Sequence, residues 1–147
     1  MEISNLNTIT GKWYVVMSTF PMWLKGDKTT PTFNYKLLGK GKLSDVVTYC
    51  KGRKVKRIEG IDTFSGDKFI WRGKGLLRIA KSQWEFLWMS EKQDVALIRF
   101  EKTLFTPAGY DVICRGKKLT TAQTEAVNRI LQQRGIENKV KSLTKLK

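Results

Sequence analysis

The stretch Gln83-Trp84-Glu85-Phe86-Leu87-Trp88-Met89 puts a large aromatic at every second position. A period of two sends Trp84, Phe86 and Trp88 to one face of an extended chain and Glu85, Leu87 and Met89 to the other. A helix would scatter the same aromatics around its axis, so the stretch reads as a strand. Runs of the same kind lie on both sides of it. Upstream are Lys12 to Phe20, Thr32 to Leu38, Leu43 to Cys50, Lys54 to Phe64 and Lys68 to Gly73; downstream are Val95 to Lys102 and Gly109 to Arg115. Between them stand turn residues such as Gly39-Lys40-Gly41, Lys51-Gly52 and Ser65-Gly66-Asp67. The stretch Pro21 to Asp27 is read as a loop. Eight short strands at regular spacing, rich in β-branched and aromatic residues, predict an all-β sandwich or barrel of sequential hairpins.

The chain changes character after Arg115. Ala126, Val127, Ile130 and Leu131 fall on one helix face, Thr120 with Gln123 fits a capping box, and Gly135 fits the position just past a helix end. One helix over about 120–134 is expected. The tail, 136–147, carries Lys139, Lys141, Lys145 and Lys147 against Glu137, and reads as a closing segment or a solvated basic tail.

The chain has 147 residues, with 28 Lys plus Arg against 13 Asp plus Glu, a net charge of +15. That length suits one domain. With 41% hydrophobic residues the chain is rich enough in apolar surface to fold. No apolar stretch approaches the roughly 20 residues of a spanning helix. There is no His, which excludes a Ser-His-Asp triad and any His-ligated metal. Cys50 and Cys114 are too few for a four-thiolate site, and no metal or other cofactor is expected. Met1-Glu2-Ile3-Ser4-Asn5 lacks the basic and apolar regions of a leader. The expected location is the cytoplasm as written, or the periplasm or exterior if a leader was removed.

Eight sequential strands followed by one helix resemble the lipocalin family, bacterial members included. Asn5-Leu6-Asn7-Thr8-Ile9-Thr10-Gly11-Lys12-Trp13-Tyr14 is similar to the first family signature, a short turn leading into Gly-x-Trp. Arg115 stands where the third signature keeps an Arg packed on that Trp. Thr32 to Leu37, Glu59 to Phe64 and Val95 to Ile98 resemble strand motifs of bacterial lipocalins. Residues Ser90 to Asp94 read Ser-Glu-Lys-Gln-Asp where the second signature has Thr-Asp-Tyr. The resemblance implies a single lipocalin-like domain, an eight-stranded antiparallel up-and-down barrel over about 11–115 with a C-terminal helix. Gly11, Trp13 and Arg115 are then structural, closing the barrel bottom. Fatty-acid-binding proteins are a rival barrel class, but they place two helices after the first strand, and Pro21 to Thr30 is too short for that.

A barrel of this size holds one small ligand or is filled by side chains. Alternation assigns the inward residues. Phe33, Tyr35, Phe69, Trp71, Trp84, Phe86 and Trp88 are expected inside, with Tyr110, Val112 and Cys114 from the eighth strand. Val15 and Met17 follow Trp13 inward, while Val47 with Tyr49 and Leu97 with Arg99 are the choices on the ambiguous third and seventh strands. Trp23 is expected as a lid or interfacial anchor. The expected ligand set is therefore Met17, Trp23, Phe33, Tyr35, Val47, Tyr49, Phe69, Trp71, Trp84, Phe86, Trp88, Arg99, Tyr110 and Val112, with Arg99 a candidate partner for a ligand carboxylate.

Strand direction also gathers Lys25, Lys28, Lys51, Arg53, Lys54, Arg72, Lys74, Arg78, Lys81 and Lys102 around one end, the end that is open in lipocalins. A basic rim attracts anionic amphiphiles and anionic membrane surfaces. The leading expectation is non-catalytic binding or transport of a small hydrophobic, anionic ligand such as a fatty acid. The alternative is a lipocalin-like isomerase, cyclase or synthase using Asp45, Tyr35, Tyr49, Tyr110 or Cys114. Nucleic acid is a weaker candidate partner. Lys51 to Arg57 is rich in bases, but the inward aromatics leave no exposed stacking platform. Cys50 and Cys114 lie on strands separated by two others, so no disulfide is expected.

Overall fold

The computed structural model describes residues 1–75, 81–104 and 106–143. Eight antiparallel strands form the barrel: β1 (Gly11–Ser18), β2 (Thr29–Gly39), β3 (Lys42–Lys51), β4 (Lys54–Phe64), β5 (Lys68–Gly73), β6 (Lys81–Met89), β7 (Val95–Phe100) and β8 (Gly109–Cys114). Each pairs with its sequence neighbour, and β1 pairs with both β2 and β8, which closes the sheet on itself. This is the expected antiparallel meander barrel.

Helix α2 (Thr121–Gln133) follows β8. The Thr120 hydroxyl accepts from Gln123 N at 3.1 Å, and the Gln123 side chain accepts from Thr120 N at 2.8 Å, completing the capping box. Val127 and Leu131 are buried against the outside of the barrel, among Val16, Val95, Leu97 and Val112. Two of the sheet's faces are thus apolar at β7 and β8: one looks into the barrel and the other lies under α2.

Two segments read as irregular are ordered. Pro21–Leu24 forms a one-turn helix, α1, with Pro at its start, where a missing N–H costs nothing. Lys141–Ser142 forms β9, paired with Met17 and Ser18 of β1 beyond the point where β2 leaves that strand. The beginning of the tail is therefore a closing segment; residues 144–147 and Arg78 lie outside the described residues.

The barrel bottom is closed as the signature residues imply. The Arg115 guanidinium lies 3.8 Å from the Trp13 ring centroid. Its Nη1 donates to Lys12 O at 2.9 Å and its Nη2 to Thr8 O at 3.0 Å. Trp13 Nε1 donates to Ile9 O at 2.9 Å, tying the short 3-10 turn Leu6–Ile9 across the opening. Gly11 sits at φ 96°, a conformation side chains rarely adopt, and a Cβ there would crowd the Arg115 guanidinium. Above this plug, Phe69, Phe86 and Leu43 are fully buried and fill the lower barrel.

Candidate functional site

The upper barrel is hollow. A cavity of about 180 Å³ opens between α1 and the β7–β8 loop, at the end opposite Arg115. Its floor is a stack: the Tyr35 and Trp84 rings lie 5.5 Å apart, and Phe69 lies 4.2 Å below Trp84. Its walls include Phe33, Val47, Ile58, Trp71 and Phe100. Phe20, Met22 and Trp23 form the entrance side. Trp23 is buried and packs edge-on against Tyr49, with ring centroids 5.6 Å apart.

Of the residues expected to face a ligand, Trp23, Phe33, Tyr35, Val47, Trp71 and Trp84 meet around this cavity. Tyr49 backs Trp23, while Phe69 and Phe86 are inward but lie beneath the cavity in the filled half.

Met17, Trp88, Arg99, Tyr110 and Val112 are placed elsewhere, each for a definite reason. A register shift between Val15 and Met17 turns Val16 and Met17 outward toward α2. A second shift, between Phe86 and Trp88, does the same to Leu87 and Trp88. One inserted residue reverses the side-chain parity of everything beyond it. On β7 the inward residues are Ala96, Ile98 and Phe100, so Leu97 packs under α2 and Arg99 pairs outside with Glu101. On β8 the inward residues are Asp111 and Ile113; Tyr110, Val112 and Cys114 belong to the outer layer. Both faces of β7 and β8 are buried, so hydrophobic pattern alone does not distinguish them.

Three carboxyls escape that pattern entirely. Asp45 and Asp111 line the cavity at 6% and 1% exposure, and Asp62 stands behind Asp45 at 0%. Asp111 Oδ1 accepts from Ser18 Oγ at 2.6 Å. Burial pushes its carboxyl up to about 7 despite that bond. Asp62 Oδ1 accepts from Trp84 Nε1 at 3.0 Å, and its Oδ2 meets no N–H or O–H donor. The Asp45 and Asp62 carboxyls are close neighbours, so ionising one opposes ionising the other. Burial first, and then the neighbouring Asp62 carboxylate, hold Asp45 well above the usual carboxylate range. Burial also raises Asp62, against the bond from Trp84. Burial and the same aspartates raise Tyr35. The sequence signal was an acid at an inward position of a strand, legible at Asp45 and Asp62 once parity is known. Among the described residues no Lys or Arg lines the cavity.

Two close approaches shape the walls. A Cβ on Gly60 would overlap the Trp71 indole, and one on Gly109 would overlap Phe20. These glycines allow the two rings to lie flat against neighbouring backbone. Trp71 Nε1 is buried there without an acceptor.

Cys114 lies beneath α2, facing away from the cavity, with its Sγ 3.8 Å from Gln123 Oε1. Burial raises its thiol above the ordinary value. That is the opposite of an activated nucleophile. Both cysteines are free. Among the described residues no cluster of His, Cys, Asp and Glu is arranged to hold a metal ion.

A closed eight-stranded meander barrel with an Arg-on-Trp bottom plug and one C-terminal helix is the lipocalin fold. The match to solved structures agrees. Insecticyanin from the tobacco hornworm Manduca sexta aligns with a TM-score of 0.78 at 16% identity, covering 95% of this chain and 80% of that one. The cockroach allergen Per a 4 aligns at 0.77 and 12% identity, covering 100% and 91%. The siderocalin Ex-FABP aligns at 0.70 and 17% identity, covering 92% and 93%. No family model matches the chain, and no curated protein matches it.

Proposed function

We propose that the protein is a binding or carrier protein for a small, largely apolar ligand held in the upper cavity. The observation that carries this reading is an aromatic-walled space of about 180 Å³, open at one end only, in a barrel whose other half is packed solid. A cavity of about 150 Å³ lined by apolar side chains accepts benzene. The volume here suits one ring with a short chain, and a long-chain fatty acid would not be contained. Among solved lipocalin structures, the siderocalin Ex-FABP is described as acting through dual ligand specificities, which is consistent with use of the cavity in this fold. For the alternative of an enzyme in the same barrel, Cys114 is not available as a nucleophile, since it lies outside the cavity beneath α2.

Titration of toluene or indole into the protein, followed by calorimetry and tryptophan fluorescence, tests the reading. Trp23, Trp71 and Trp84 line the cavity, so binding changes their emission. Saturable binding at one site, weakened by Val47→Phe, supports it. Absence of saturable binding by any one-ring probe overturns it.

A basic mouth supports a second, compatible reading. Lys25, Lys51, Arg53, Lys54, Arg72, Lys74, Lys81 and Lys102 are exposed toward the open end, against the acids Asp27, Glu59 and Glu101. Each base contributes on the order of 1 kcal/mol near an anionic surface. Docking of the mouth on anionic membranes predicts co-sedimentation with phosphatidylserine vesicles at low salt and none with phosphatidylcholine. Equal behaviour with both vesicles would refute it.

A further inference from the structure

The polar side of the cavity decides what chemistry the ligand carries, an inference that rests on the carrier reading above. Asp45 is on the cavity wall, almost fully buried, and the charged group beside it is another carboxyl, Asp62. A buried polar group normally finds a donor, and a buried carboxylate normally finds a cation or several N–H groups. Here neither is supplied by the protein. Facing the cavity from the other strands are Tyr35 on β2, Ser82 on β6, Asp111 on β8 and Thr106 in the β7–β8 loop, all neutral or acidic. The Asp111 carboxyl has Ser18 as its donor and no basic partner. Around these acids stand the faces of Trp71, Trp84 and Phe100.

We propose that the cavity selects a small apolar body bearing an amine, whose nitrogen donates to the Asp45 carboxyl, with Asp111 as a second acceptor on the wall. Three observations converge on this. The wall presents two buried carboxyls, Asp45 and Asp111, beside one unpaired donor, Trp71 Nε1, and among the described residues no base. The missing charge is positive, because the buried carboxyls of Asp45 and Asp111, with Asp62 behind them, face no Lys or Arg among the residues lining the cavity. The surrounding aromatic faces attract a cation as well as an apolar ring. Asp62, fixed by Trp84 Nε1, positions Asp45 and does not itself reach the cavity.

The same geometry disfavours the anionic ligand expected from the overall charge. A carboxylate pushed into this cavity would meet Asp45 and Asp111 and no base. The charge of +15 is a property of the exterior, and salt screens it over about 8–10 Å. An alkyl amine is already an ammonium at neutral pH, so it brings its own proton, and its N–H groups donate to the Asp45 carboxyl with no proton taken from the protein.

Three probes of nearly one shape test the proposal: 2-phenylethylamine, propylbenzene and 3-phenylpropionate. Binding is measured by calorimetry at pH 7.5. The amine is expected to bind at least tenfold tighter than propylbenzene, and the carboxylate weakest. In Asp45→Asn the ratio of amine to propylbenzene affinity is expected to fall at least tenfold; if that variant does not fold, Asp111→Asn supplies the comparison with a smaller drop. Propylbenzene binding as tightly as the amine, the carboxylate binding best, or a ratio unchanged in the variants would overturn the amine proposal and leave the carrier reading standing. No binding by any of the three would overturn both.

Discussion

Asp111→Asn should stabilise the protein at pH 8 and change it little at pH 4.5. The carboxyl is 1% exposed, and burial moves it from 3.8 to about 7 in the folded state. An acid raised in this way binds more protons folded than unfolded between those two values. Its contribution is therefore most favourable in acid, is lost as pH rises from about 4 to about 7, and is level above that. The gap of about 3 pH units corresponds to about 4 kcal/mol in full, of which about 3 kcal/mol falls between pH 4.5 and pH 8. Asn does not titrate, and its amide oxygen still accepts the Ser18 hydroxyl, so the local packing is kept. Water reaching the open cavity solvates part of the carboxylate, which puts the expected gain at pH 8 at about 2–3 kcal/mol. Urea unfolding of both proteins, followed by tryptophan fluorescence at pH 4.5, 6 and 8, gives the difference directly. Other titrating groups cancel between the two proteins. A difference that does not change with pH, or a variant less stable at pH 8, would refute the reasoning.

Other perturbations have equally definite outcomes. Arg115→Ala removes the contact with Trp13 and two hydrogen bonds to backbone carbonyls, and should cost about 2–4 kcal/mol in a denaturant melt without altering ligand affinity more than threefold. Gly60→Ala forces the Trp71 ring away from β4, so it should cost about 1–3 kcal/mol and change the tryptophan emission of the ligand-free protein. Under native conditions iodoacetamide should label the half-buried Cys50 well before Cys114; equal rates would mean that α2 does not cover Cys114 as described.

How far the sequence could be read depends on what each signal encodes. Strand count, hairpin order, the capping box of α2 and the Arg115–Trp13 plug are local or motif-borne, and each appears in the structure. Side-chain direction was legible where one face only is apolar, as at Phe33 and Tyr35 against the exposed Asn34 and Lys36. It was illegible on β7 and β8, where Val95-Ala96-Leu97-Ile98 is buried on both faces because α2 covers the outside. Counting by twos also fails across the shifts at Val16 and Leu87, since a bulge leaves no residue-type signature here. The error at Trp88 follows from that alone. Arg99 lies on the same two-sided β7, where pattern leaves parity open between Leu97 with Arg99 and Ile98 with Phe100, and the structure turns it outward to Glu101. Net charge reports the surface, and the cavity carries the opposite sign.

That opposition links stability to binding. The buried aspartates oppose folding at neutral pH, and nothing in the barrel's closure requires them: the sheet pairs around them, and the bottom plug lies at the other end. Asp45 and Asp111 stand on the wall of the aromatic cavity, with Asp62 directly behind Asp45. A bound ammonium supplies the donors and the positive charge that the wall lacks, so it stabilises most where the carboxylates are ionised. A ligand that binds only the folded state stabilises by RT ln(1 + [L]/Kd). A saturating amine should therefore raise the melting temperature more at pH 8 than at pH 4.5, whereas propylbenzene should raise it about equally at both. Equal shifts for the amine at the two pH values would separate the aspartates from the ligand and leave their burial without a binding role.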